Sequence, residues 1–281
     1  MAPLFSILIA QYNNGKYFED CYNSIIAQTY QNWEVIIVDD CSTDDSVAVM
    51  KDRIGEDPRF KIEVLTENKG CGFAKRRCAE LATGEICAFL DPDDAITEKA
   101  LSEMILEHAK HPDASMIYSK PLWCDEHLNI QYERKSQQVE NGDPYFFDFD
   151  GFVFAFMSYK RDFYVKTSGI NSYLQRAIDK DLVLKLYETG SAYLLDLALY
   201  KYRIHPNGIS TNTNQDKAYF WYWVAIIDAA KRRNINVEDL YIDKSQSRKE
   251  VALQKEIDSY NQSFLFKVFR KLGLFTVSSN K

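Results

Sequence analysis

Asp91-Pro92-Asp93-Asp94 sets three carboxylates within four residues, directly after the apolar run Ile86-Cys87-Ala88-Phe89-Leu90. Two hard oxygen ligands with open positions left over suit Mg2+ or Mn2+ shared with a substrate's phosphates. Five consecutive apolar residues, rich in β-formers, predict a strand buried on both faces, the habit of parallel sheets. Pro92 has no N–H to give a sheet ladder, so this strand should end near Leu90. The acids then stand at a strand's carboxyl end, where open α/β sheets bind ligands. If the backbone stays extended for two more residues, Asp91 and Asp93 project to the same side. The same residues also suit a solvated turn before a helix, whose N-terminus welcomes acids.

The elements that must position these acids follow from periodicity. Leu4 to Ala10, Val35 to Val38 and Phe60 to Leu65 read as further strands, and the second also ends on acids, Asp39 and Asp40. Between them Phe18, Cys21, Tyr22, Ile25 and Ile26 recur at helical spacing, and Ser42 and Thr43 suit the cap of a helix carrying Val47 and Met50. Asn68-Lys69-Gly70 turns into a helix from about Gly72 to Ala82, and Thr97 is expected to cap the helix bearing Leu101, Met104, Ile105 and His108. Strands alternating with helices over the first hundred residues imply right-handed crossovers and a parallel sheet. Beyond Ala114 a strand at Ser115 to Tyr118 precedes an irregular, aromatic-rich stretch over 121–165, read as a mixed sheet edge and a lid. A helix over 179–189, a strand over Tyr193 to Tyr202 and a helical tail complete the chain.

With 46% hydrophobic and 27% charged residues, the 281-residue chain has the balance of a soluble globular protein. A net charge of −7 argues against nucleic acid as the main partner. The six cysteines are scattered without a C-x-x-C pair, as in a reducing compartment. No secretory signal is evident, and no apolar run reaches the roughly 18–20 residues of a membrane span. A cytoplasmic protein is expected. Neither G-x-G-x-x-G nor G-x-x-x-x-G-K-[ST] occurs, which counts against a dehydrogenase and a P-loop kinase.

Taken together, Ser6-Ile7-Leu8-Ile9 with Tyr12-Asn13, Val38-Asp39-Asp40-Cys41-Ser42-Thr43-Asp44, Asn68-Lys69-Gly70, Ala82-Thr83-Gly84-Glu85 and Asp91-Pro92-Asp93-Asp94 resemble the family-2 glycosyltransferases. Ala177-Ile178-Asp179-Lys180-Asp181-Leu182 is similar to that family's acceptor-side acid motif, and Tyr202-Arg203-Ile204-His205-Pro206 to its late arginine–histidine segment. The match is dense over 4–100 and patchy over 165–211. The resemblance implies an α/β GT-A fold: a Rossmann-like, mostly parallel sheet flanked by helices, a mixed acceptor-side half and a helical C-terminal tail. It places a nucleotide-binding half at 1–110, an acceptor-binding half at 111–211 and an extension at 212–281.

The resemblance also implies roles. Asp40 would accept the N3–H of uracil and Tyr12 would lie along the base, with Ala10, Gly70, Lys75 and Asp91 also at the nucleotide. Asp93, Asp91 and His205 would hold Mn2+ or Mg2+, and Arg203 would pair with phosphate. Asp179 would be the general base, made more basic by burial beside the aromatic lid. Asp181 is its rival, but two residues along a helix it faces elsewhere. Two positions depart from the family pattern: Arg76 stands where asparagine is common, and Ile178 replaces a frequent glutamate. The implied activity is inverting transfer from a nucleotide-diphosphate sugar, expected to be a UDP-sugar, to a glycan or lipid-linked saccharide. The departures leave open a non-catalytic sugar-nucleotide or glycan-binding module.

In the tail, Phe264, Leu265, Val268, Phe269 and Leu272 would share one helical face, with Lys267, Arg270 and Lys271 toward the other. That pattern suits a segment lying on an anionic membrane surface, which would make the protein peripheral at the inner face of the plasma membrane. It equally suits a helix docked on the protein's own core or in a homodimer interface.

Overall fold

The computed structural model describes residues 2–205 and 215–263. In chain order β1 (Phe5–Gln11), α1 (Phe18–Ile26), β2 (Trp33–Asp39), α2 (Ser46–Ile54), β3 (Phe60–Val64), α3 (Cys71–Leu81) and β4 (Ile86–Phe89) alternate. Then come β5 (Ala95–Ile96), α4 (Ala100–Lys110), β6 (Ala114–Cys124), β7 (Ile130–Glu133), β8 (Met157–Lys160), α5 (Arg161–Tyr164), α6 (Ile178–Tyr187) and β9 (Ser191–Arg203). The strands join in one sheet in the order β3-β2-β1-β4-β8-β6-β9-β5, with β7 also on β6. Strands β3, β2, β1 and β4 are mutually parallel, whereas β8 runs antiparallel to both β4 and β6. This is the expected architecture, a parallel half joined to a mixed half.

Both faces of the sheet are covered, which is why its central strands read as unbroken apolar runs. On one face Ile7 and Ile9 pack with Phe18, Cys21 and Ile25 of α1 and with Leu101 and Met104 of α4. On the other, Leu8, Ile36 and Val38 pack with Ala74 and Cys78 of α3 and with Leu182 and Leu186 of α6. Helix α3 comes close to the segment before α6 at Gly72, whose N–H donates to the Leu174 carbonyl at 3.0 Å. A Cβ at Gly72 would lie 2.4 Å from that carbonyl oxygen, so the approach requires glycine. It is this approach that sets α3 beside the start of α6.

Several local expectations change. Helix α4 starts at Ala100 after Lys99, and Thr97 contributes its carbonyl to the Ala100 N–H rather than a side-chain cap. The short strand β5 pairs with β9, and the stretch read as irregular contains part of β6 together with β7, β8 and α5. By contacts the chain divides into two compact units, Met1–Ala229 and Ala230–Lys281. Helix α7 (Gln215–Arg232) contains the division, and the second unit carries α8 (Val237–Gln262). The amphipathic segment over 264–275 lies outside the described residues, as does Pro206. Among the described residues no helix is long and apolar enough to cross a membrane.

Candidate active site

Because β1 pairs in parallel with both β2 and β4, the carboxyl ends of the three strands lie side by side. Each delivers a loop with polar groups to the same edge of the sheet. At the end of β1, the half-buried Ala10 leads into Gln11, whose buried amide has no hydrogen-bond partner among the described residues, and then into the exposed Tyr12. Asn13 ties this loop to the one after β2: its N–H donates to Ser42 Oγ at 2.9 Å, and its Oδ1 accepts the Thr43 N–H at 2.8 Å.

The two acids ending β2 have different tasks. Asp39 closes its own loop, accepting the Ser42 N–H at 2.9 Å and hydroxyl at 2.6 Å. Asp40 reaches across to the start of α3 and accepts the Lys69 and Gly70 N–H groups at 2.7 and 2.8 Å. Burial pushes the Asp40 carboxyl up, against the lowering effect of those two N–H donors. Gly70, at φ 90°, is in the left-handed region that a side chain would strain.

The acids after β4 are not on an extended segment. Pro92 follows Asp91 in a turn closed by the Asp94 N–H on the Asp91 carbonyl at 3.0 Å, a position proline favours. The expected same-side projection of Asp91 and Asp93 is therefore replaced by a division of labour. Asp91 turns toward Lys75 Nζ at 3.1 Å, and Lys75 also contacts Asp179 Oδ1 at 2.9 Å. Asp93 turns toward His205, whose Nε2 lies 2.8 Å from Asp93 Oδ2. Asp94, which sequence reasoning left without a role, is buried and accepts the Tyr200 hydroxyl at 2.7 Å and the Arg203 N–H at 2.7 Å.

Lys75 is the link between the two halves of the site. Burial alone would lower its pKa, but Asp179 and Asp91 outweigh burial and hold it well above the usual lysine range. It stays a cation, with its side chain 6% exposed. The acids still outnumber it. Burial raises the Asp91 carboxyl, Lys75 pulls it down, and Asp179 and Asp93 push it up again. The Asp94 carboxyl is pushed well above the carboxylate range by burial and then by Asp93 and Asp91. This excess of negative charge at a strand end is the setting a divalent cation would relieve.

Three expectations need correction. Asp179 is not buried beside a lid; its side chain is 69% exposed in the first turn of α6, held by Lys75. The helix begins after Ala177, at φ 56°, and turns Asp179 outward and Asp181 inward. Asp181 is 1% exposed and accepts Lys185 Nζ and the Asn171 N–H, at 2.8 and 2.9 Å, so its role is internal. Arg203 is buried too, donating to the Asp93 and Glu126 carbonyls and to Asp20, so its guanidinium is committed to holding the acid turn instead of a phosphate. Of the proposed metal set, only Asp93 and His205 are in contact, and no group of three or more such ligands occurs among the described residues.

The departures at Arg76 and Ile178 find structural reasons. Arg76 pairs with Glu80 at 3.0 Å and donates to the Ile170 carbonyl, bracing the segment before α6. Ile178, the first residue of α6, is buried in the core. Tyr17, also missed, packs its ring 4.8 Å from His205, and its hydroxyl donates to Glu126. No local motif marks it; only the fold brings it there.

A model of the family described as Glycosyl transferase family 2 matches residues 6–182. The chain is 28% identical to a chondroitin synthase of Escherichia coli over 214 residues, covering 74% of this chain and 30% of that protein. It is 36% identical to Glycosyltransferase GlyG of Streptococcus pneumoniae serotype 4 over 118 residues, covering 42% of this chain and 38% of that one. The chain thus spans under half the length of these relatives. Its fold is similar to that of S. aureus TarS in complex with UDP-GlcNAc, with a TM-score of 0.62, 20% identity and 79% and 66% of the two chains covered. It is also similar to mannosyltransferase PcManGT from Pyrobaculum calidifontis in complex with GDP-Man and Mn2+, at a TM-score of 0.63 and 14% identity, covering 96% and 83%.

Proposed function

The chain belongs to glycosyl transferase family 2, and from that premise we propose that it transfers a sugar from a UDP-sugar to a hydroxyl of a glycan or lipid-linked saccharide, inverting the anomeric carbon. The observation that carries this reading is Lys75, which joins Asp91 of the nucleotide half to Asp179 of the acceptor half. The exposed ring of Tyr12 is free to lie along a base, and each Asp40 oxygen has capacity for another donor beside its backbone N–H. Ala10 and Gly70 line the same strand-end edge, where the diphosphate would follow.

Asp93 and His205 are the residues that would hold Mn2+ or Mg2+, with Asp91 nearby. Two protein ligands fit a cation that shares its remaining positions with phosphate oxygens and water. When bound, such a cation offsets the charge on the leaving diphosphate. The chain's own residues do the rest. Asp179 accepts the proton of the acceptor hydroxyl as its oxygen forms the bond to the anomeric carbon. The bond from that carbon to the diphosphate breaks, and its electron pair leaves with the UDP. Exposure of Asp179 suits this task, because the acceptor must reach the carboxylate from solvent. Lys75, at 2.9 Å, holds the Asp179 carboxylate toward the donor side.

Donor binding is tested by thermal unfolding in a panel of UDP- and GDP-sugars, with and without Mn2+. A ligand at 100 times its Kd stabilises by about 2.7 kcal/mol, or on the order of 5–10 °C for a domain of this size. A UDP-sugar is expected to raise the Tm more with the metal present than without it. A flat response across the panel would overturn the donor assignment.

A further inference from the structure

Three aromatic residues stand side by side on three neighbouring strands. Trp123 of β6 is directly opposite Tyr132 of β7 and directly opposite Tyr202 of β9. Residues directly opposite one another project from the same face of a sheet. Their ring centroids are 5.8 Å and 5.0 Å apart, and Phe154 packs against both Trp123 and Tyr202. The guanidinium of Arg134 lies 5.0 Å from the Phe154 ring and holds that side of the cluster.

The two ends of the row differ. Tyr132 is 54% exposed at the outer end. Tyr202, at the inner end, directly precedes Arg203, whose backbone N–H is fixed on Asp94. Tyr200, two residues earlier and on the same face of β9, donates its hydroxyl to Asp94, so this end of the row lies beside the acid turn. Among the described residues the buried Trp123 Nε1–H has no hydrogen-bond partner.

We propose that Tyr132, Trp123 and Tyr202 form an extended acceptor subsite, which takes a glycan chain of at least two sugar residues and directs its terminal hydroxyl toward Asp179. Strands are spaced about 4.8 Å apart, so a row across three of them is about 10 Å long, close to the length of a disaccharide. Sugar rings present apolar C–H faces to aromatic rings, and the phenol of the exposed Tyr132 can bond their hydroxyls. The row thus reads more than the terminal sugar, and a single monosaccharide fills only part of it. This inference rests on the transferase reading and names the acceptor class of that site.

The test uses the full chain with 15N-labelled tryptophan and chondroitin and chitin oligosaccharides of two and four residues. The indole N–H signal of Trp123 is identified as the one lost in Trp123→Phe. A tetrasaccharide of one series is expected to shift that signal and to bind more tightly than its monosaccharide. Tyr132→Ala, at an exposed position, is expected to weaken tetrasaccharide binding about fivefold to tenfold, the worth of one aromatic contact. UDP binding in Mn2+ should be unchanged in the variant. No shift of the Trp123 signal by any glycan, or equal tetrasaccharide affinity in Tyr132→Ala and the parent, would overturn the proposal. Failure of the transferase reading would show separately, as absence of UDP binding in the parent.

Discussion

Asp179→Asn is expected to lower the transfer rate on the order of 10²–10⁴-fold while leaving the fold and UDP binding intact. The amide keeps the size of the carboxylate but cannot take the proton of the acceptor hydroxyl. The side chain is 69% exposed, so its removal from the charge count disturbs no core. Lys75 loses one of its two anionic partners yet keeps Asp91 at 3.1 Å. The effect should fall on kcat more than on the Kd for donor. Single-turnover transfer with a radiolabelled UDP-sugar measures it, and a rate within tenfold of the parent would remove Asp179 from the role of base.

The second large effect is expected two residues further on, and it is of a different kind. Asp181→Ala should destabilise the protein by about 3–5 kcal/mol, because it strands a buried ammonium. Lys185 Nζ contacts Asp181 Oδ2 at 2.8 Å and the Gly169 carbonyl at 2.7 Å, and its side chain is 6% exposed. Without the carboxylate, the Lys185 charge has only a backbone oxygen to answer it, and the Asn171 N–H loses its acceptor. Removing both charges as Asp181→Ala with Lys185→Met should recover much of the loss, since an apolar pair leaves no unpaired ion. Urea unfolding of the single and double variants measures this. An Asp181→Ala variant that unfolds like the parent but has lost transfer would exchange the roles of the two aspartates.

That two acids in one helical turn should differ so sharply was only half legible in the sequence. Helical spacing places Asp179 and Asp181 on different faces, but which face is inward depends on where α6 starts, and the left-handed Ala177 carries no sequence signal. Strands β1, β2 and β4 were readable because a strand buried on both faces leaves a continuous apolar run. Their carboxyl-end acids were readable for the same reason. Strand β7 was not, since all four of its residues are exposed. Nor was β5, a two-residue strand that exists through its pairing with β9. The turn at Pro92 was foreseen as a strand end, while its consequence, Asp91 going to Lys75 and Asp93 to His205, depends on partners far away in the chain. Arg203 shows the same limit. A motif arginine suggests phosphate, but three acceptors brought together by folding have already claimed it.

Isothermal titration of UDP into the parent and into Asp93→Ala, each with and without Mn2+, tests most directly the claim that this strand end is a metal-assisted nucleotide site. The parent should bind UDP in the presence of Mn2+ and at least tenfold more weakly without it, about 1.4 kcal/mol or more. Asp93→Ala should stay folded with a modest loss of Tm, because buried His205 loses this contact, and should show no gain in UDP affinity from the metal. Metal-dependent UDP binding of equal strength in the parent and in Asp93→Ala would contradict the account.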